Sequence, residues 1–261
     1  MSLLTLLAAT AGTPGGTTWP DPPVDPPPGG GGSAPPLRWD ASVTVKVTQW
    51  GNSHYIQCAN VQTLGTYKTL LDGAGAWRKN IAHPGATWQW LNAHLADANA
   101  EFNPIYDHNV IVVGETTNDV HGGGYDGYTA RTTQAEVIAD AQACIDGLRA
   151  AHPNWVIVLC GSIPIGGAPE YGPKNALTRA CDDHMKANWA AMGADAYVDF
   201  RTPGGYFDGD GTSLTSDTQQ WMGKVAHNCD FGAVPFVHPA GPAQVYFADR
   251  IRDGLAALAT P

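Results

Sequence analysis

Four short segments carry the residue types that acyl transfer requires, and each is weak evidence alone. Gly51-Asn52-Ser53-His54 follows a strand-like run of alternating apolar residues, Val43–Trp50. A serine on a tight turn after a strand projects its hydroxyl outward, where a base could take its proton and make it a nucleophile. A serine in a glycine turn is, however, far more often only a turn residue. Asn80-Ile-Ala-His-Pro-Gly85-Ala-Thr87 leads into a helical pattern. Gly85 lets a backbone N–H approach a ligand closely, and a helix start favours developing negative charge; the plain alternative is a helix-start glycine. Val113-Gly114-Glu-Thr-Thr-Asn118-Asp119 closes an apolar run. The Asn118 amide could donate to an oxyanion or simply cap a turn. Val237-His238-Pro239-Ala-Gly241 precedes the last helical pattern. Histidine is the commonest general base, although a single loop histidine is usually incidental.

Such groups act together only if the fold converges them, and the surrounding pattern predicts one that does. Strands are expected over Val43–Trp50, Asn109–Val113, Trp155–Cys160 and Ala196–Phe200, the middle two as continuous apolar runs buried on both faces. Between them, Ala86–Ala98 repeats Trp88, Leu91 and Leu95 at helical spacing. Thr133-Gln-Ala-Glu136 is a capping box opening a helix that buries Val137, Ile138, Ala141, Ile145 and Leu148 and ends at His152-Pro153. Asn175–Met192 and a final helix from Pro242, burying Ala248, Ile251, Leu255 and Leu258, complete the alternation. Strand–helix alternation implies a parallel sheet covered on both faces, with ligands beyond the carboxyl ends of its strands.

In this order and context the four segments resemble the blocks of the SGNH (GDSL-like) hydrolase superfamily. Gly51-Asn-Ser53 resembles its Gly-Asp-Ser block, with Asn where Asp is usual. Asn80–Thr87 is similar to the second block, whose glycine, matched by Gly85, supplies an oxyanion N–H. Asn118-Asp119 resembles the third block and His238-Pro239 the fifth, and the resemblance covers roughly residues 43 to 258. It implies an α/β fold, a flavodoxin-like three-layer α/β/α sandwich with a central parallel sheet. It further implies a serine esterase with Ser53 as nucleophile and His238 as base. The oxyanion hole would be built from the Gly85 N–H, Asn118 and the Ser53 N–H, and no cofactor or metal is required. Asn52, His54, Asp119 and Tyr125 are the expected cleft residues, with Tyr125 and Tyr128 as candidate stacking partners for a sugar ring.

Two departures stand out. The glycine usual two residues before Asn118 is replaced by Thr116, and Gly114 lies four before. The acid expected three residues before His238 is replaced by Pro235, which has no carboxylate to orient an imidazolium. Asp230, eight residues before His238, is the first substitute, a backbone carbonyl the second, and a Ser–His dyad the third. Asp199 reads as a loop anchor rather than the acid.

Composition excludes several classes. A net charge of −10 and the absence of a basic run argue against nucleic acid as a partner. The nine histidines include no metal-binding pair, and the five cysteines no CxxC. Cys144 and Cys160 read as buried thiols, and a Cys181–Cys229 bridge is left open. Asp208-Gly-Asp-Gly-Thr-Ser213 lacks the glycine and glutamate of a calcium loop, and Gly122–Gly127 lacks the strand and spacing of a dinucleotide fingerprint.

The chain divides into a short apolar head (1–12), a Pro/Gly-rich linker (13–37) and the catalytic-type domain (38–261). No Lys or Arg precedes Arg38, so a cleaved leader is not expected, and the apolar head is too short for a membrane span. Head, linker and Ala/Gly/Thr/Asp-rich composition resemble minor tail proteins of phages infecting actinobacteria. That likeness implies a virion location, other tail proteins as partners, and a host-envelope ester, from an acylated polysaccharide or a lipid, as substrate. A secreted esterase is the alternative. The rival classes are a glycan-binding module on the same fold, favoured by Pro235, and a purely structural tail protein.

Overall fold

The computed structural model describes residues 43–55, 77–114, 116–122, 127–165, 171–201 and 242–258. The head and linker lie outside these. The described elements are β1 (Val45–Gly51), β2 (Trp77–Asn80), α1 (Trp88–Ala93), α2 (Leu95–Ala100), β3 (His108–Gly114), α3 (Thr117–His121), α4 (Gln134–Ala151), β4 (Trp155–Cys160), α5 (Tyr171–Asn188), β5 (Ala196–Val198) and α6 (Pro242–Ala257). The strands form one all-parallel sheet in the order β2-β1-β3-β4-β5. This is the expected flavodoxin-like α/β sandwich, whose strand order reverses direction between β1 and β3.

Alternation along each strand builds the three layers. Val45, Val47, Val110, Val112, Val158 and Cys160 point to one face, where Phe247, Ile251 and Leu255 of α6 cover them. Trp50, Ile111, Val113, Ile157 and Leu159 point to the other, against Trp88 and Leu91 of α1, Ala141, Ile145 and Leu148 of α4, and Met185 of α5. Every residue of β1 and β3 is buried, which explains why β3 reads as an apolar run, whereas β1 buries Lys46, Thr48 and Gln49 among its apolar residues. Each large side chain fully buried there contributes about 1.5–3 kcal/mol.

The helix ends follow local chemistry. The Thr133 hydroxyl accepts from Glu136 N–H while the Glu136 carboxylate accepts from Thr133 N–H, so the predicted capping box opens α4. The expected helix over Ala86–Ala98 is instead two short helices. His94 separates them, its ring stacked on Trp90 at 3.8 Å and its Nδ1 2.8 Å from the Trp90 carbonyl oxygen. α5 starts at Tyr171, a turn earlier than its apolar pattern. The turn after it closes with Ala194 N–H on the Trp189 carbonyl and Gly193 N–H on that of Ala190, with Gly193 at φ 92°, as in a Schellman motif. β2 and the five-residue α3 had no counterpart in the sequence pattern. Cys144, Cys160 and Cys181 are free buried thiols, and Cys229, the other half of the bridge left open, lies outside the described residues.

One close approach shapes the end of the sheet next to the site. Gly51 and Gly114 are register partners at the ends of β1 and β3. A Cβ on Gly51 would lie 2.6 Å from the Gly114 carbonyl oxygen and 2.7 Å from the Tyr55 ring; one on Gly114 would lie 2.7 Å from the Cys160 carbonyl oxygen. The two glycines thus open the slot that Tyr55 fills, edge-on to Phe247 at 5.4 Å. Gly114→Ala should therefore destabilise the protein by about 1–3 kcal/mol through overpacking, read as a lowered midpoint in urea; an unchanged midpoint would show that the slot is not tight.

Candidate active site

Ser53 opens a helical turn directly after β1. The turn is capped from within: the Asn52 Oδ1 accepts from His54 N–H at 2.9 Å, and the Asn52 Nδ2 lies 3.1 Å from His54 Nδ1. Because Oδ1 is committed as acceptor, Nδ2 must donate, so His54 Nδ1 is unprotonated and its imidazole proton sits on Nε2. Asn performs the capping here that an aspartate carboxylate would perform with charge.

The second loop continues the β1–β2 pairing outward, with Ile81 N–H on the Gln49 carbonyl and His83 N–H on that of Gly51, at 2.9 and 2.8 Å. His83-Pro84-Gly85-Ala86 then makes a β-turn closed by Ala86 N–H on the His83 carbonyl. Proline in second place and glycine at φ 72° in third are the chemistry of a type II turn. Gly85 is required by that backbone angle, and its own N–H takes no part in the turn's hydrogen bond. Asn80 clips this loop to the first: its Oδ1 accepts from Ala82 N–H, and its Nδ2 donates to the Tyr55 carbonyl at 3.3 Å.

The third segment is α3. Asn118 Nδ2 donates to the Ala86 carbonyl at 2.8 Å, and the adjacent Asp119 Oδ2 accepts from Trp88 N–H at 2.9 Å. Thr116, where a glycine was expected, is fully buried beside Trp88, whose Nε1 donates to its hydroxyl at 3.4 Å. The Ser53 turn, the Gly85 turn and α3 are in this way tied by side-chain amides at the carboxyl ends of β1, β2 and β3. Ser53 and Asn118 are each half-buried between two buried neighbours.

Those neighbours correct one expectation. Asn52, His54 and Asp119, expected in the cleft wall, are 2%, 3% and 0% exposed. Asn52 Oδ1 and Asp119 Oδ2 accept from backbone N–H groups beneath it, and the His54 ring meets the Asn52 amide; an acceptor next to an unpaired N–H of a turn or helix start is pulled inward. Burial pushes the Asp119 carboxyl up to about 8, with the Trp88 N–H opposing and Asp140 adding to the rise. His238, Asp230, Pro235 and Tyr125, the expected base, the first candidate for its acid, the proline at the acid's usual place and one expected cleft residue, lie outside the described residues. Tyr128 packs against the apolar layer beneath α1 and α4. α6, which starts four residues after His238, begins at this same end: Phe247 stacks on Phe200 at 4.0 Å just beyond β5, whereas Gly254, later in the helix, meets Val198 inside it.

A second polar group, not singled out from sequence, lies beyond β4 and β5. The Ser162 hydroxyl donates to Asp182 at 2.7 Å, and the Arg201 Nε is 3.4 Å from the same carboxylate. All three are buried. Burial raises the Asp182 pKa while Arg201 and Ser162 hold it back. Its only sequence signal was a Gly-Ser pair closing a strand. Asn175 grips both N–H and carbonyl of Ile165 nearby. His121, beside Lys174 and Asn175, is held down at about 4 by burial. Asp199 is anchored by Lys186 at 2.6 Å and by Arg201 N–H at 2.8 Å. Among the described residues no group of three metal-ligating side chains occurs, and no helix is long and apolar enough to cross a membrane.

No family model matches the chain, and no curated protein matches it in sequence. Solved structures do. A mutant of Axe2, an acetyl-xylooligosaccharide esterase from Geobacillus, is similar at TM-score 0.58 and 14% identity, over 84% of this chain and 96% of its own. A member of the lipolytic G-D-S-L family from Veillonella parvula gives 0.55 at 14%, over 80% and 97%. TesA gives 0.53 at 20%, over 82% and 99%. The fold that carries Ser53, Gly85 and Asn118 is that of the GDSL/SGNH esterases and lipases.

Proposed function

We propose that the chain is a serine carboxylic-ester hydrolase working through an acyl-enzyme on Ser53. The observation that carries this reading is the hydrogen-bonded coupling of the Ser53 turn, the Gly85 turn and α3 at one end of the sheet. In this mechanism His238 takes the Ser53 proton as the hydroxyl oxygen attacks the ester carbonyl. The tetrahedral oxyanion is held by the Gly85 N–H, the Asn118 amide and the Ser53 N–H, each such donor typically worth about 3 kcal/mol of barrier. His238 then protonates the leaving alcohol, and water, deprotonated by the same imidazole, releases the acid. Phe247, in the first half of α6, meets Tyr55 two residues from Ser53, and His238 precedes that helix by four residues, which supports His238 as the base.

Acylated carbohydrate is the first substrate class, supported by the likeness to an acetyl-xylooligosaccharide esterase; a lipid ester is the second. The apolar head and Pro/Gly tether support a tail component of a phage, with other tail proteins as partners and an envelope ester as target, against a secreted enzyme. Pro235, at the usual place of the acid, favours one other reading: a weak or inactive module on this fold that binds glycans or is purely structural.

Hydrolysis of p-nitrophenyl acetate separates these. Ser53→Ala and His238→Ala should each lower kcat by roughly 10³-fold or more, and a wild-type rate equal to that of Ser53→Ala would leave the binding or structural module. The acid is tested separately. If Asp230 orients His238, Asp230→Asn should cost up to about 10⁴-fold; an unchanged rate would leave a dyad or a backbone carbonyl. With imidazole as base, kcat/KM should fall as acid protonates it, and a profile that stays flat on acidification until the protein unfolds would exclude His238 from that role.

A further inference from the structure

We propose that Asp119 is a positioning residue that locks the oxyanion-bearing loop, by accepting the Trp88 N–H beside the bond from Asn118 to Ala86. The inference rests on the hydrolase reading above and adds a residue to it. Asn118 and Asp119 are consecutive on α3, and their targets, the Ala86 carbonyl and the Trp88 N–H, lie two residues apart on the segment that follows Gly85. One dipeptide therefore grips the loop through a donor and an acceptor at once. Two bonds of opposite sense fix both translation and rotation of the segment relative to α3. The distance between the two proposed oxyanion donors, the Gly85 N–H and the Asn118 amide, is set by that grip rather than by the loop's own stiffness.

The environment suits a clamp. Asp119 is fully buried, its second oxygen Oδ1 has no hydrogen-bond partner, and its own carbonyl accepts from Arg131 N–H at 2.6 Å. The charges that face it are Arg131, which precedes α4, and Asp140 on α4, and they act in opposite directions. The carboxyl is pushed up to about 8, so at neutral pH it is largely the protonated acid. A protonated carboxyl keeps an acceptor for Trp88 N–H, and so does the carbonyl oxygen of an asparagine. Alanine keeps none.

The test uses the full chain, with Asp119→Asn and Asp119→Ala measured on p-nitrophenyl acetate. Trp88 amide hydrogen exchange is followed in parallel. Asp119→Asn should keep kcat within about threefold of wild type and keep Trp88 protected. Asp119→Ala should lose about 10²-fold in kcat, the scale of one misplaced oxyanion donor, with KM within about threefold and Trp88 exchange accelerated. A folded Asp119→Asn that loses 10²-fold, or a folded Asp119→Ala with wild-type kcat, would overturn the proposal; the first criterion holds even if the alanine variant does not fold. Absence of any Ser53-dependent turnover in wild type would remove the hydrolase reading and the positioning role with it, leaving the exchange pattern to decide whether the clamp exists. The carboxyl has its own signature. Between about pH 4 and 8 folded Asp119 holds a proton that the unfolded chain has released, so wild-type stability falls as pH rises through that window. Asp119→Asn should show a flatter thermal midpoint over the same range, and equal slopes would count against a buried neutral acid.

Discussion

Where β1 and β3 end side by side, neither Gly51 nor Gly114 has room for a side chain. That crowding is the constraint on which the mouth of the sheet depends. The vacated space admits the Tyr55 ring, which returns over the strand ends to meet Phe247 of α6. A ring seated there obliges the chain to turn at Asn52 and Ser53 rather than run on, and it links the Ser53 turn to α6. A methyl group at either glycine would press on backbone, which cannot rotate away as a side chain can.

Beyond the glycines, the loops are joined mostly by neutral amides. Asn52 caps its own turn, Asn80 joins the second loop to the first, and Asn118 joins the third element to the second. Amides suit the task because each offers both a donor and an acceptor and adds no net charge to the loops it joins. Groups fixed before reaction need not reorganise during it. The one carboxyl in this arrangement, Asp119, is buried deeply enough to be driven toward its neutral form.

The sequence was legible where burial was complete. β3 and β4, buried throughout or nearly so, announce themselves as unbroken apolar runs, and α4 carries its start in the Thr133–Glu136 box. β2 was illegible because Trp77-Arg78-Lys79-Asn80 lies at the edge of the sheet and needs no apolar run. The break at His94 was illegible because a stacked ring, a tertiary detail, ends α1 there. At the site, the motifs singled out Ser53, Gly85 and Asn118, which sit partly exposed on linked loops. Their neighbours were misassigned because adjacency along the chain says nothing about which way a side chain turns. Asn52 and Asp119 turn under the surface to accept from backbone N–H groups, and His54 turns under it to meet the Asn52 amide. The buried Ser162–Asp182–Arg201 group joins residues twenty and nineteen positions apart, a separation with no periodic signature.

Cys144, Cys160 and Cys181 are reduced, buried and desolvated, the last two with thiols pushed up to about 12. A thiol that scarcely ionises is a poor nucleophile toward oxidants and disulfides. Among the described residues no disulfide staples sheet to helices, so cohesion between the layers rests on side-chain packing and on hydrogen bonds such as Tyr197 hydroxyl to the Asp182 carbonyl. These three interior thiols therefore act as small apolar side chains, filling volume in the two layers without contributing chemistry.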